Sequence, residues 1–251
     1  MPDNKPQAQP PEAPTKAKSK TVVITGGGSG IGLALARVFT RSGYTVTISG
    51  RDLKRLNTAA NELRQSSAGV EAIACDVRDP SSVQTMFQQI AQRHSLIDVL
   101  INNAGVAHAL SSVDMLPIET WKQVIDTNLT GTFLVTQAAL PLMCAGSTIV
   151  NNLSVAATQP FPGMSAYNAS KFGALGFTQA LREDLRKRGI RVVAVLPGAT
   201  DTDIWNQFWA EAPKEKMIPA DAVAQAVLHA VSAPASTTIE EIRIGPTGGV
   251  L

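Results

Sequence analysis

The 251-residue chain predicts an α/β fold: a single domain built on one doubly wound parallel sheet of about seven strands, with helices on both faces. Three observations lead there. Short β-branched runs near 21–25, 44–49, 70–75, 97–102, 147–153, 190–196 and 239–244 alternate with longer helical stretches. A glycine-rich turn separates the first of these runs from a helical pattern. Gly43, Gly69 and Gly189 stand at helix-to-strand passages, where C-terminal caps belong. A chain of this length with 44% hydrophobic residues fills one core, and no internal repeat divides it.

The first element after residue 20 is the strand Thr21-Val22-Val23-Ile24-Thr25. Gly26-Gly27-Gly28-Ser29-Gly30-Ile31-Gly32 follows at once, and then the helical run from Leu33 to Phe39. Glycines let a backbone approach a pyrophosphate, and a helix N-terminus offers unpaired N–H groups and a positive dipole end. Strand, turn and helix in this order make a phosphate cradle rather than a flexible loop. The spacing is Gly-x-x-x-Gly-x-Gly; Ile31 stands where the strict Gly-x-Gly-x-x-Gly fingerprint has its last glycine.

Residues 1–20 read differently. They hold five of the fifteen prolines, four lysines and two acids, with Thr15 as the one β-branched residue, and cannot bury enough surface to offset their ordering entropy. They are expected to form a disordered tail, with residues 21–251 as the single folded domain. Of the 22 basic and 20 acidic residues, four and two lie in this tail, leaving 18 of each beyond it. A formally neutral domain argues against a bulk nucleic-acid footprint. The tail lacks an apolar core and arginine, unlike secretory or transit peptides, and no later stretch of about eighteen apolar residues suggests a membrane span. A cytoplasmic location is the default. Cys75 and Cys144 show no paired spacing, and His94, His108 and His229 are scattered, so no metal site is expected.

The chemistry lies further on. Tyr167 and Lys171 are four residues apart, about one helical turn, on one helix face and thirteen residues beyond Ser154. A phenol has a pKa of about 10 and exchanges protons poorly at neutral pH unless a cation stabilises its phenolate. Lys171 supplies such a cation, and the Ser154 hydroxyl can hold a carbonyl oxygen. An ordinary amphipathic contact gives the same Tyr-x-x-x-Lys spacing, so the accompanying motifs decide. In a doubly wound sheet ligands bind beyond the carboxyl ends of the strands, and these motifs all fall there.

With Thr25-Gly26-x-x-x-Gly30-Ile31-Gly32, Asn102-Asn103-Ala104-Gly105, Ser154 with Tyr167-x-x-x-Lys171, and Pro197-Gly198, the chain resembles a classical short-chain dehydrogenase/reductase. The match spans residues 25 to 198 in the family's order and implies a Rossmann-like fold. The resemblance makes Tyr167 the general acid for a carbonyl oxygen, and the base in reverse. It gives Lys171 the nicotinamide ribose hydroxyls and a lowering of the Tyr167 pKa, and Ser154 the substrate oxygen. Asn128 matches the fourth catalytic position, where it helps hold a water linking Lys171 to solvent. The cofactor residues so implied are Gly26, Ser29, Gly30, Ile31, Gly32, Asp76, Val77, Asn103, Ala104, Gly105, Tyr167, Lys171, Pro197, Gly198 and Thr202.

Cofactor choice turns on the end of the second strand. The family's acid that selects NAD(H) sits where this chain has Gly50, and Arg51 is suited to a 2′-phosphate, which favours NADP(H). The alternative reading makes Arg51 a plain surface residue with Asp52 capping the next helix, and Asp76 a loop cap. Trp205, Phe208 and Trp209 either close an apolar lid over a small carbonyl or alcohol substrate, or pack the loop, or bury a subunit interface. The family's usual assembly, through helices around 117–144 and 164–188, implies a homotetramer or homodimer. A binder of NADP(H) that senses or scaffolds without turnover is the alternative; such a protein would have no need of the phenol.

Overall fold

The computed structural model describes residues 19–65 and 69–249. Residues 1–18, most of the expected tail, lie outside the described residues. Ser19 already belongs to the folded part: its hydroxyl donates to the Gly43 carbonyl at 2.8 Å, and the next carbonyl, of Lys20, accepts from Thr45 N–H at 2.8 Å.

Seven parallel strands form the main sheet: β1 (Thr21–Thr25), β2 (Thr45–Gly50), β3 (Val70–Ala74), β4 (Val99–Asn102), β5 (Thr148–Asn152), β6 (Arg191–Pro197) and, after a two-stranded excursion of β7 (Thr200–Asp201) and β8 (Ile218–Pro219), β9 (Glu241–Ile244). Their spatial order is β3-β2-β1-β4-β5-β6-β9. The order reverses between β1 and β4, the switch point where a crevice opens at the carboxyl ends.

The helices are α1 (Gly30–Arg41), α2 (Leu53–Arg64), α3 (Pro80–Arg93), α4 (Ile118–Ile125), α5 (Gly131–Ala139), α6 (Ser165–Arg186) and α7 (Ala220–Val231). They divide as the pleat dictates, because successive strand residues point to opposite faces. Val22 and Ile24 pack with Leu35, Phe39, Leu56 and Val227 from α1, α2 and α7. Val23, Leu100 and Ile149 pack with Phe87, Val135 and Leu181 from α3, α5 and α6. These central strands are apolar on both sides, as two covered faces require.

Two details differ from the sequence expectation. Gly43 and Gly189 adopt left-handed conformations, at φ +82° and +66°, whereas α2 already ends at Gln65, four residues before Gly69. The helical stretch around 117–144 is not one helix: α4 passes through a π-helical turn, Asp126–Thr130, into α5, and ends in a 3₁₀ turn at Leu140–Leu142. Asn128 sits inside the π turn.

Candidate active site

At the carboxyl end of β1 the backbone turns sharply enough that side chains have no room. Gly30 opens α1 at φ +51°, and a Cβ on Gly32 would lie 2.2 Å from the Gly26 carbonyl oxygen. The first turn of α1 is thereby pressed against the glycine loop, with its N–H groups facing the cleft. Asn103 fastens the loop from β4: its amide donates to the Thr25 and Gly26 carbonyls at 3.0 and 3.2 Å. Thr25 Oγ1 in return accepts from the N–H groups of Asn103 and Ala104, each at 3.0 Å. A backbone this closed, on a dipole end and beside a roomy cleft, fits a pyrophosphate.

The cleft has a volume of about 850 Å³ and runs from the end of β2 to the loop after β6. Gly26, Ser29, Gly30, Ile31, Arg51, Asp76, Val77, Asn103, Ala104, Gly105, Ser154, Tyr167, Lys171, Pro197, Gly198 and Thr202 all line it. Gly32 and Asn128 stand behind the wall. Thr202 lies over the glycine turn, its methyl 3.1 Å from where a Gly30 Cβ would be.

At the other end of the cleft, β5 runs into Ser154, which caps a 3₁₀ turn (Val155–Ala157) by accepting from Ala156 N–H at 3.1 Å. Its hydroxyl is also near enough to the Tyr167 phenol to favour the ionised form of that group. Lys171 is buried, donates to the Asn152 carbonyl at 3.3 Å, and holds its ammonium 5.6 Å from the centre of the Tyr167 ring. Burial lowers the Lys171 pKa to about 8. The Tyr167 pKa is raised, not lowered: burial of the phenol dominates, and the Ser154 hydroxyl opposes it only in part. The expected lowering by Lys171 therefore does not emerge here. The ammonium lies over the ring, 5.6 Å from its centre.

The π turn explains how Asn128 arrives here. It rotates the side chain inward, so that Oδ1 accepts from Val106 N–H at 2.9 Å while Nδ2 donates to the Val106 carbonyl at 2.9 Å and to Ser170 Oγ at 3.0 Å. Ser170 passes the connection on, donating to the Tyr167 carbonyl at 2.7 Å. A Cβ on Gly105 would meet Asn128 Oδ1 at 3.4 Å and Lys171 Nζ at 3.7 Å, so these two groups converge on one glycine.

The family model for short chain dehydrogenases matches residues 20–213. The chain belongs to the classical short-chain dehydrogenase/reductase family. Sulfoacetaldehyde reductase 2 of Chromohalobacter salexigens is 35% identical over 240 residues, 91% of this chain and 95% of that one. Among solved structures, the alcohol dehydrogenase of the archaeon Thermococcus sibiricus, complexed with 5-hydroxy-NADP, matches with a TM-score of 0.85 at 26% identity, covering 93% of this chain and 99% of that one. The 3-ketoacyl-(acyl-carrier-protein) reductase of Brucella melitensis, complexed with NADH, matches at 0.83 and 27%, covering 90% and 96%. A nicotinamide dinucleotide oxidoreductase is the common ground.

Within this short-chain dehydrogenase/reductase, several residues in and behind the cleft wall have no motif of their own in the sequence. Asn168 lies between Tyr167 and Lys171 and ties the loop before α6 to the helix, donating to the Ala156 and Gln159 carbonyls, each at 3.0 Å, and accepting from Phe161 N–H at 3.1 Å. Phe161, Pro162, Met164 and Leu110 then form an apolar wall. Opposite stand Trp205, Phe208 and Trp209, with ring centres 4.9 and 6.2 Å from Trp205. Their loop is pinned twice: Trp205 Nε1 donates to the Thr200 carbonyl at 2.8 Å, and Gln207 Oε1 accepts from Ala107 N–H at 2.9 Å. All three rings line the cleft, although Trp209 keeps 41% of its surface exposed. Asp76 is both cleft-lining and a loop cap, since its carboxylate accepts from Arg78 N–H at 3.1 Å and pairs with the Arg78 guanidinium at 2.6 Å. No helix among the described residues is long and apolar enough to cross a membrane.

Proposed function

We propose that the protein is an NADPH-dependent reductase of a neutral carbonyl compound with apolar flanks, the reverse oxidation being available to the same groups. The observation that carries this reading is one cleft holding Ser154, Tyr167 and Lys171 at one end, against an apolar wall, and cations without a competing acid at Gly50 at the other. The glycine turn and α1 would hold the pyrophosphate, Arg51 the 2′-phosphate and Lys171 the ribose hydroxyls. Bound there, NADPH supplies the hydride for the carbonyl carbon. Ser154 orients the substrate oxygen, and the Tyr167 hydroxyl protonates it as negative charge grows. A phenol held above its usual range keeps its proton until the acceptor becomes strongly basic, which suits an acid better than a resting base. Asn128, beside Lys171 at Gly105, belongs to the path by which that proton is replaced from solvent.

Charge places a limit on the substrate. Among the described residues, the cationic side chains lining the cleft are Arg51, Arg55 and Lys171. The first two lie at the end of β2, three strand positions from β5 and so roughly 14 Å away across the sheet. Lys171 is taken up by the ribose hydroxyls in this reading. Phe161, Met164, Trp205 and Phe208 offer no partner to an anion, so a sulfonate-bearing aldehyde, the substrate named for the halophile's reductase, is a poor match here. Phe133 on α5 and Phe172 on α6 remain 43% and 45% exposed, which favours a homodimer or homotetramer through that face. NADPH and NADH oxidation with a panel of ketones, aldehydes, 3-oxoacyl thioesters and sulfonated aldehydes tests the reading. Neutral apolar carbonyls with NADPH should lead; preference for an anionic aldehyde, or for NADH, would contradict it.

A further inference from the structure

We infer that Arg55 is a second specificity residue for the cofactor's 2′-phosphate, and that it exchanges Asp203 of the substrate loop for that phosphate. The inference rests on the NADP(H) reading and adds to it a residue and a coupling. Arg55 stands in the first turn of α2, one helical turn beyond Arg51, with its N–H bonded to the capping Asp52 carboxylate at 3.0 Å. Its stem lies across the glycine turn, 3.3 Å from where a Gly28 Cβ would be, a path that a side chain at 28 would obstruct. The guanidinium ends between two groups of different character. Nη1 is 3.5 Å from Ser29 Oγ, and Nη2 is 3.8 Å from Asp203 Oδ2.

The ion pair is long, and its side chains are 57% and 67% exposed, so it is weak and readily exchanged. The other two acids lining this mouth are engaged: Asp52 caps α2, and Asp76 pairs with Arg78. Gly50 contributes no side chain. A phosphate dianion at the end of β2 thus meets Arg51, the donor fork of Arg55 and the Ser29 hydroxyl, a better set for Arg55 than a single distant carboxylate oxygen. Turning to the phosphate releases Asp203, the first residue of the 3₁₀ turn Asp203–Gln207. That turn carries Trp205 and the Gln207 pin to Ala107. Cofactor identity is thereby transmitted to the loop over the substrate. NADH, lacking the phosphate, leaves the Arg55–Asp203 pair in place.

The test is titration of the full chain with NADPH and with NADH, following tryptophan fluorescence, in wild type, Arg51→Ala, Arg55→Met, Asp203→Asn and the Arg55→Met/Asp203→Asn double variant. Arg55→Met should raise the NADPH Kd about tenfold and leave NADH within about twofold. Asp203→Asn should tighten NADPH by about two- to fivefold, an effect absent once Arg55 is gone. If wild type prefers NADPH and Arg55→Met changes nothing while Arg51→Ala abolishes the preference, the inference fails and the cofactor reading stands. Equal weakening of both cofactors by Arg55→Met would make Arg55 a support of the glycine turn, and also overturns the inference. A wild type that does not discriminate would remove the cofactor reading itself.

Discussion

The two ends of the cleft are built on opposite terms. Around Lys171 the side chains that shape the site are buried and bonded: Asn128 with Val106 and Ser170, Ser170 with Tyr167, Asn168 with three backbone groups of the loop before α6. Around Arg51 and Arg55 the groups are exposed, and the pair to Asp203 is long. The first arrangement fixes geometry, since each buried partner would be costly to leave unsatisfied. The second fixes little and leaves charge free to meet a ligand. The proton transfer proposed for the first end needs fixed geometry, and the phosphate recognition proposed for the second needs available charge.

Breaking the closed end of the cradle should have the largest effect. Gly32→Val would drive a branched side chain into the Gly26 carbonyl, at a cost of about 3 kcal/mol, the upper end for overpacking. Thermal unfolding should show it, and any folded fraction should bind neither cofactor.

Lys171 sharpens the contrast through pH. Its folded pKa of about 8 lies below the ordinary 10.5. Below about 8 both states are protonated, and folding bears the whole cost of burying the charge. Between the two values the unfolded chain holds a proton that the folded chain has released, so stability rises with pH, and above 10.5 the gain levels off. Denaturant titrations of wild type and Lys171→Met should diverge across that window by about 2 to 3 kcal/mol, wild type gaining. Tyr167 and Cys75, whose raised pKa values act the other way, are present in both chains and drop out of the difference.

Asn128→Ala would leave the Val106 N–H and carbonyl without their partners and cost about 2 kcal/mol. Asn128→Asp keeps the acceptor and loses the donor, so its unfolding midpoint should fall between the two. The smallest effect belongs to the open end. Arg51→Ala should leave the melting temperature unchanged and reduce the NADPH-over-NADH ratio of kcat/KM by about tenfold, an effect that shrinks as salt is raised.

Much of this was legible from local pattern. The alternation of strands fixed the sheet, and Thr25 to Gly32 fixed the cradle, because β-branching, glycine spacing and a following helix are local properties. Tyr167, Lys171 and Ser154 were found by spacing and do share the cleft. Spacing could not give the direction of the Tyr167 pKa, which depends on how much structure covers the phenol. Nor could it show the π turn: residues 117–144 carry a helical pattern throughout, and the extra residue per turn appears only when Asn128 reaches Val106. Arg55 did leave a signal, an arginine one turn after Arg51, but its reach across Gly28 to Asp203 joins residues 148 positions apart. Asn152 serves Lys171 through its carbonyl, which no side-chain pattern reveals.

The most direct measurement compares wild type with Tyr167→Phe for NADPH oxidation with the best carbonyl of the panel, alongside NADPH binding by each. The account predicts that kcat falls by about 10² to 10⁴ while the NADPH Kd stays within about twofold, since the ring remains and only the proton-donating hydroxyl is lost. Turnover that survives in the variant would contradict the assignment of Tyr167 as the acid.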